Sequence, residues 1–196
     1  MDWQDSADEG AMMKPVRMYL FGTRWIDFYG VAIWLAQGRE WPAHVGCYFV
    51  MEDGSHVGFQ AQHKVQGMKY GGFVSFDFAE YQKKYHGWKA KLTGKKMWVR
   101  HIELTDDQLL AKYLKCKRLE RDVLGYAHTQ VFGKLIHERL GFPMQRDPRY
   151  VDCSESMAMV MAEDTPEYDV RDSDNSNFDS VSPSELWAGI GDRIGV

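Results

Sequence analysis

Of the three cysteines in this 196-residue chain, Cys153 alone has neighbours that would turn a thiol into a nucleophile. Attack requires the thiolate, and a thiol's reference pKa of about 8.5 falls when N–H dipoles at a helix start point at the sulfur. The run V-D-C-S-E at 151–155 provides such a start. Asp152 is placed to cap a helix, Glu155 stands at its third position in a capping box, and Met157, Val160 and Met161 recur on one side. Cys153 then lies in the first helical turn. Cys47 falls in an apolar strand and Cys116 in a charged helix, so both read as structural. Their odd number and wide spacing argue against a disulfide framework or a CxxC metal pair.

A thiolate needs a group that takes its proton and later returns it to the leaving group, and a third group that orients that base. His44, opening the run H-V-G-C-Y-F-V, is the candidate base, so the histidine precedes the cysteine in sequence. His44–Val50 and His56–Gln62 flank M-E-D-G-S, where Asp-Gly between two strand-like runs predicts a hairpin. If Glu52–Gly54 form a three-residue loop with a glycine bulge, Met51 pairs with Ser55, Gly46 faces Gln60 and His44 faces Gln62. His44, His56, Gln60 and Gln62 then share one face of the sheet. A two-residue Asp53–Gly54 turn instead sets His44 opposite His63 and turns both glutamines away. The loop type therefore decides which residue orients His44.

The scaffold around these positions is mixed. Val16–Phe21 predicts a first strand, Trp25–Gln37 a short amphipathic helix stopped by Gly38, and Phe73–Phe78 and Met97–Leu104 further strands of an antiparallel sheet. The Lys/Tyr-rich stretch 80–95 reads as helix then loop. Thr105 and Gln108 make a capping box for a helix that runs to about Asp122, and its basic stretch Lys112–Arg121 reads as a solvated face. Tyr126–Leu140 is expected to be helical, with a loop from Gly141 to Tyr150. The tail Glu163–Asp179 is acidic and polar, and Ser182-Pro183-Ser184-Glu185 is expected to start a last helix.

Length fits one domain, 15–196, behind a flexible arm at 1–14. A net charge of −4 with scattered Lys and Arg leaves no electrostatic footprint for nucleic acid. No phosphate loop, dinucleotide motif, HExxH or EF-hand loop is present, so no cofactor and no metal is implied; His137-Glu138 and the Asp/Asn-rich 172–179 read as solvated. Without a secretory signal pattern or a long apolar run, the expectation is a cytoplasmic protein with no stable membrane insertion.

W-P-A-H-V-G-C-Y-F at 41–49, G-F-Q-A-Q at 58–62 and V-D-C-S-E at 151–155, in this order, resemble the circularly permuted papain-like amidases of the NlpC type, above all their YiiX-like branch. The G-Y-A-H-T-Q-V-F-G segment at 125–133 and the closing S-P-S-E-L-W fit as well, so the likeness spans about residues 16–187. The resemblance implies an α+β fold, with a small barrel-like antiparallel sheet packed against helices and permuted so that His precedes Cys. It implies Cys153 as nucleophile, His44 as base and Gln60 as the orienting residue, Gln60 standing where a Glu is common. It also implies hydrolysis of an amide in a peptide or cell-wall substrate. Acyl transfer or ester cleavage on an acyl-bearing lipid, as in the related lecithin:retinol acyltransferase group, is the alternative chemistry. A silent binding or assembly module of the same fold, as in a virus-encoded protein, is the alternative without chemistry.

Overall fold

Gly54 decides the register of the hairpin. Its φ of +81° is a left-handed conformation that glycine adopts without strain, and it lets Gly54 N reach Met51 O at 2.9 Å while Met51 N bonds Ser55 O at 2.9 Å. Asp53 fixes the turn by accepting from Ser55 N at 2.9 Å. This is the three-residue loop. From it, β2 (His44–Met51) and β3 (His56–Gln62) pair from Val50↔His56 to Cys47↔Phe59, in the register that puts even-numbered residues of both strands on one face.

The computed structural model of the chain describes residues 13–24, 28–36, 38–62, 71–127, 149–169 and 181–193. They form a mixed α+β fold around a five-stranded antiparallel sheet. Strand β1 (Pro15–Arg24) pairs with β2 on one side and with β5 (Lys96–Ile102) on the other, and β3 pairs with β4 (Gly72–Asp77). Among the described residues the order β4-β3-β2-β1-β5 leaves β4 and β5 as separate edges, an open sheet where a barrel-like one was expected. Helix α1 (Phe28–Ala36) follows β1 and ends as foreseen at Gly38, with Arg39 N bonded to Trp34 O at 2.8 Å. Its foreseen start, Trp25 and Ile26, lies outside the described residues.

Alternation along the strands builds two cores. On one face Phe21 and Tyr48 meet Phe78 and Tyr81 of α2 (Phe78–Lys83), with Tyr48 stacked on Phe78 at 3.7 Å. Phe78 therefore begins a helix, capped by Asp77, where a strand end was expected; α3 (Gly87–Leu92) follows where a loop was foreseen. On the other face Met18, Leu20, Val45, Cys47, Phe49 and Phe59 join the larger core beneath three helices: α4 (Asp106–Asp122), α5 (Cys153–Ala162) and α6 (Pro183–Arg193). The capping box of α4 is present in both directions, and Pro183 stands at the first position of α6, where Ser182 Oγ accepts from Glu185 N.

Two further sequence expectations are corrected. Tyr126 is in a short strand, β6 (Gly125–Tyr126), parallel to β7 (Tyr150–Val151), because its backbone finds partners beside Val151; the helix expected beyond it falls outside the described residues. Lys112 is fully buried, not solvated, because its ammonium reaches the carbonyl end of α5. At the start of the acidic tail, Thr165 and Tyr168 are buried around a 3-10 turn, Pro166–Tyr168, and 170–180 lie outside the described residues. So do residues 1–12 of the expected arm.

Candidate active site

Helix α5 begins where the capping chemistry says it should. Asp152, extended at φ −94° and ψ 178°, accepts from Glu155 N at 2.8 Å and from Ser154 Oγ at 2.9 Å. Cys153 is therefore the first helical residue, in the turn whose N–H groups carry the positive end of the helix dipole. Strand β7 delivers the chain to this point, and α5 packs across β2 and β3. Cys153 is only 2% exposed. At the far end of the helix, Lys112 Nζ donates to Val160 O at 3.1 Å, Met161 O at 2.7 Å, Glu163 O at 3.0 Å and Thr165 Oγ1 at 2.5 Å. Burial pulls its ammonium down to about 8, against the opposing pull of Glu167, Cys116, Glu163 and Asp164. Both ends of the cysteine-bearing helix are thus tied, one by a carboxylate and one by a cation, in the sense the dipole favours.

His44 and Gln60 come together as the hairpin register requires. His44 Nε2 and Gln60 Oε1 are 2.6 Å apart, and both side chains are buried. Because the amide oxygen only accepts, Nε2 carries the proton, which leaves Nδ1 as the acceptor of the neutral ring. The two residues are diagonal neighbours across β2 and β3, and the diagonal passes Gly46. A Cβ at Gly46 would lie 2.4 Å from Phe21 Cζ and 2.8 Å from Phe59 O, so glycine is needed for Phe21 to lie over β2. The Phe21 ring in turn sits 6.4 Å from the His44 ring.

Tyr81 extends the pair in a way the sequence did not signal. Its hydroxyl is 3.0 Å from that of Tyr85, and it interacts with Gln60 and Thr23. Gln60 Nε2 and Thr23 Oγ1 are both buried and reach no hydrogen bond of standard geometry. The amide nitrogen thus turns toward the phenol while its oxygen turns to His44. Burial first, and Tyr85 second, hold the Tyr81 hydroxyl well above the usual phenol range, so it stays neutral.

Residue by residue, the sequence candidates fall as follows. His44 and Gln60 share the α2 face of the sheet, whereas Cys153 belongs to the core beneath the opposite face. The pairing of β2 with β3 ends at Cys47↔Phe59; beyond it β2 continues on β1 and β3 on β4. His56 pairs with Val50, six residues along β2 from His44, about 20 Å at 3.3 Å per residue, too far to orient it. It lines a groove of about 470 Å³ at the turn end of the hairpin, with Val57, Phe76 and Asp77, where none of the three candidates lies. His63 lies outside the described residues.

Cys47 and Cys116 are buried with their sulfurs 3.7 Å apart, and burial followed by the Cys47 contact pushes the Cys116 thiol well up, as befits structural thiols. Comparison of the chain with protein-family models, with curated proteins and with solved structures yields no match.

Proposed function

We propose that the chain is a cysteine hydrolase of the permuted papain-like, NlpC-type class, which cleaves an amide bond in a peptide or cell-wall-like substrate through an acyl-enzyme on Cys153. The observation that carries this reading is the 2.6 Å contact between His44 Nε2 and Gln60 Oε1. A buried imidazole held by a neutral amide is ready to gain and lose a proton at its other nitrogen. The first-turn position of Cys153 and the packing of α5 on the strands that carry His44 and Gln60 are the supporting observations.

The steps follow from these roles. The Cys153 proton passes to His44 Nδ1 as the sulfur attacks the carbonyl carbon, and Gln60 Oε1 favours the imidazolium so formed. First-turn N–H groups of α5 stabilise the oxyanion. The carbon–nitrogen bond breaks, and His44 returns the proton to the departing amine. Water then gives a proton to His44 and its hydroxide to the thioester carbon; the carbon–sulfur bond breaks, the acid leaves, and His44 returns the proton to the sulfur, restoring the thiol.

Incubation with the activated ester p-nitrophenyl acetate, followed by intact-mass analysis, tests this. The expected result is one added acetyl group, mapped to Cys153 and absent from Cys153→Ala. Acetylation spread over lysines, with Cys153 unmodified, would overturn the proposal.

A further inference from the structure

Lys83–Lys96 holds six lysines and no acidic residue in a chain whose net charge is −4. Its centre is α3, of which Ala90 alone is buried. The two large apolar residues of that helix point outward: Trp88 is 67% exposed and Leu92 76% exposed. Spaced four apart, they share one side of the helix. All six lysines are exposed. Lys83 pairs with Glu80, while Lys84, Lys89, Lys91, Lys95 and Lys96 enter no ion pair among the described residues.

We propose that this face docks the protein on an anionic lipid bilayer. An indole ring is most stable at the headgroup level, a leucine reaches the acyl boundary beneath it, and lysine stems cover apolar surface while their ammonium groups meet lipid phosphates and carboxylates. Charge alone would also suit a nucleic acid. Leu92, the most exposed large hydrophobic residue of the described chain, has nothing to gain there, whereas a bilayer buries it. Docking is peripheral, since no helix among the described residues is long and apolar enough to cross a membrane. Helix α3 follows α2, whose Tyr81 meets Gln60, so the docked helix is tied directly to the sheet face that holds His44 and Gln60. The inference stands apart from the chemistry of Cys153 and holds for an inert module of the same fold.

The test is co-sedimentation of the full chain with vesicles of phosphatidylcholine alone and of phosphatidylcholine mixed with phosphatidylserine. Binding to the mixed vesicles, and little to phosphatidylcholine alone, is expected. Each basic residue at an anionic surface contributes roughly fivefold in affinity, so Lys91→Ser with Lys95→Ser weakens binding roughly 25-fold. Trp88→Ser with Leu92→Ser weakens it further at high salt, where the charge contribution is screened. Circular dichroism of these surface variants checks that the fold persists. Cys153→Ala should bind as the wild type does, so failure here is distinguishable from failure of the catalytic reading. Equal binding to both vesicles, no binding to either, or indifference to the Trp88/Leu92 change would overturn the proposal. So would tight binding of a single-stranded oligonucleotide that the vesicles do not displace.

Discussion

Lys112→Met removes the cation that closes the cysteine-bearing helix while keeping most of the side-chain volume. The ammonium is fully buried and donates to three backbone carbonyls and the Thr165 hydroxyl. Methionine donates nothing, so three helix-terminal carbonyls lose their buried partner at about 1–3 kcal/mol each. Against this stands the cost of holding the ammonium in the interior. Its fall from 10.5 to about 8 corresponds to about 3 kcal/mol at neutral pH, which the substitution relieves. The balance is a net loss of about 3 kcal/mol, or a fall of about 6–12 °C in Tm for a chain of this length. The pH dependence has a definite sign. Between about 8 and 10.5 the unfolded chain binds the Lys112 proton and the folded one does not, so wild-type stability rises with pH through that window. Lys112→Met lacks this rise, and the difference between the two proteins isolates it from titrating tyrosines and thiols. Urea unfolding at a series of pH values measures both effects. A loss below about 1 kcal/mol, or a wild-type-minus-variant difference that shrinks as pH rises from about 8, would refute the reasoning.

Gln60→Ala should lower kcat by about 10–100-fold, whereas Gln62→Ala and His56→Ala leave it nearly unchanged; a loss at His56 as large as at Gln60 would contradict the hairpin assignment. Tyr81→Phe, which keeps the ring in its aromatic core, should lower kcat and move the acid limb of the pH–rate profile, because Gln60 is then free to turn its amide toward His44; an unchanged profile would reduce Tyr81 to packing. Gly46→Ala should cost about 1–3 kcal/mol by displacing Phe21, read as a lowered urea midpoint; no change would mean that Phe21 moves without resistance.

What the sequence displayed, and what it hid, divides along the range of the forces involved. Caps and turns are local, so Thr105 with Gln108, Asp152 before Cys153, and a hairpin turn at Asp53-Gly54 were legible from neighbouring residues, while two loop types stayed open until the Gly54 and Met51 hydrogen bonds decided for three residues. From the loop the register followed, and from the register the shared face of His44 and Gln60. Lys112 was misread because its partners are the last carbonyls of a helix some fifty residues away, and helical periodicity says nothing about a cation drawn inward by backbone acceptors. Tyr81 was invisible for a similar reason: among lysines and tyrosines nothing marks the one whose hydroxyl meets Gln60. The strand at Tyr126 was missed because its pairing with Val151 depends on β7, a partner distant in sequence.

The central claim is that Cys153 is a nucleophile activated by its helix start and by His44, and thiol reactivity tests it most directly. Iodoacetamide at about pH 6, with peptide mapping, reports which cysteine is a thiolate where an ordinary thiol is not. The expected result is alkylation of Cys153 well before Cys47 or Cys116, with that preference reduced in His44→Ala. Equal, slow labelling of all three cysteines in the folded protein would contradict the account.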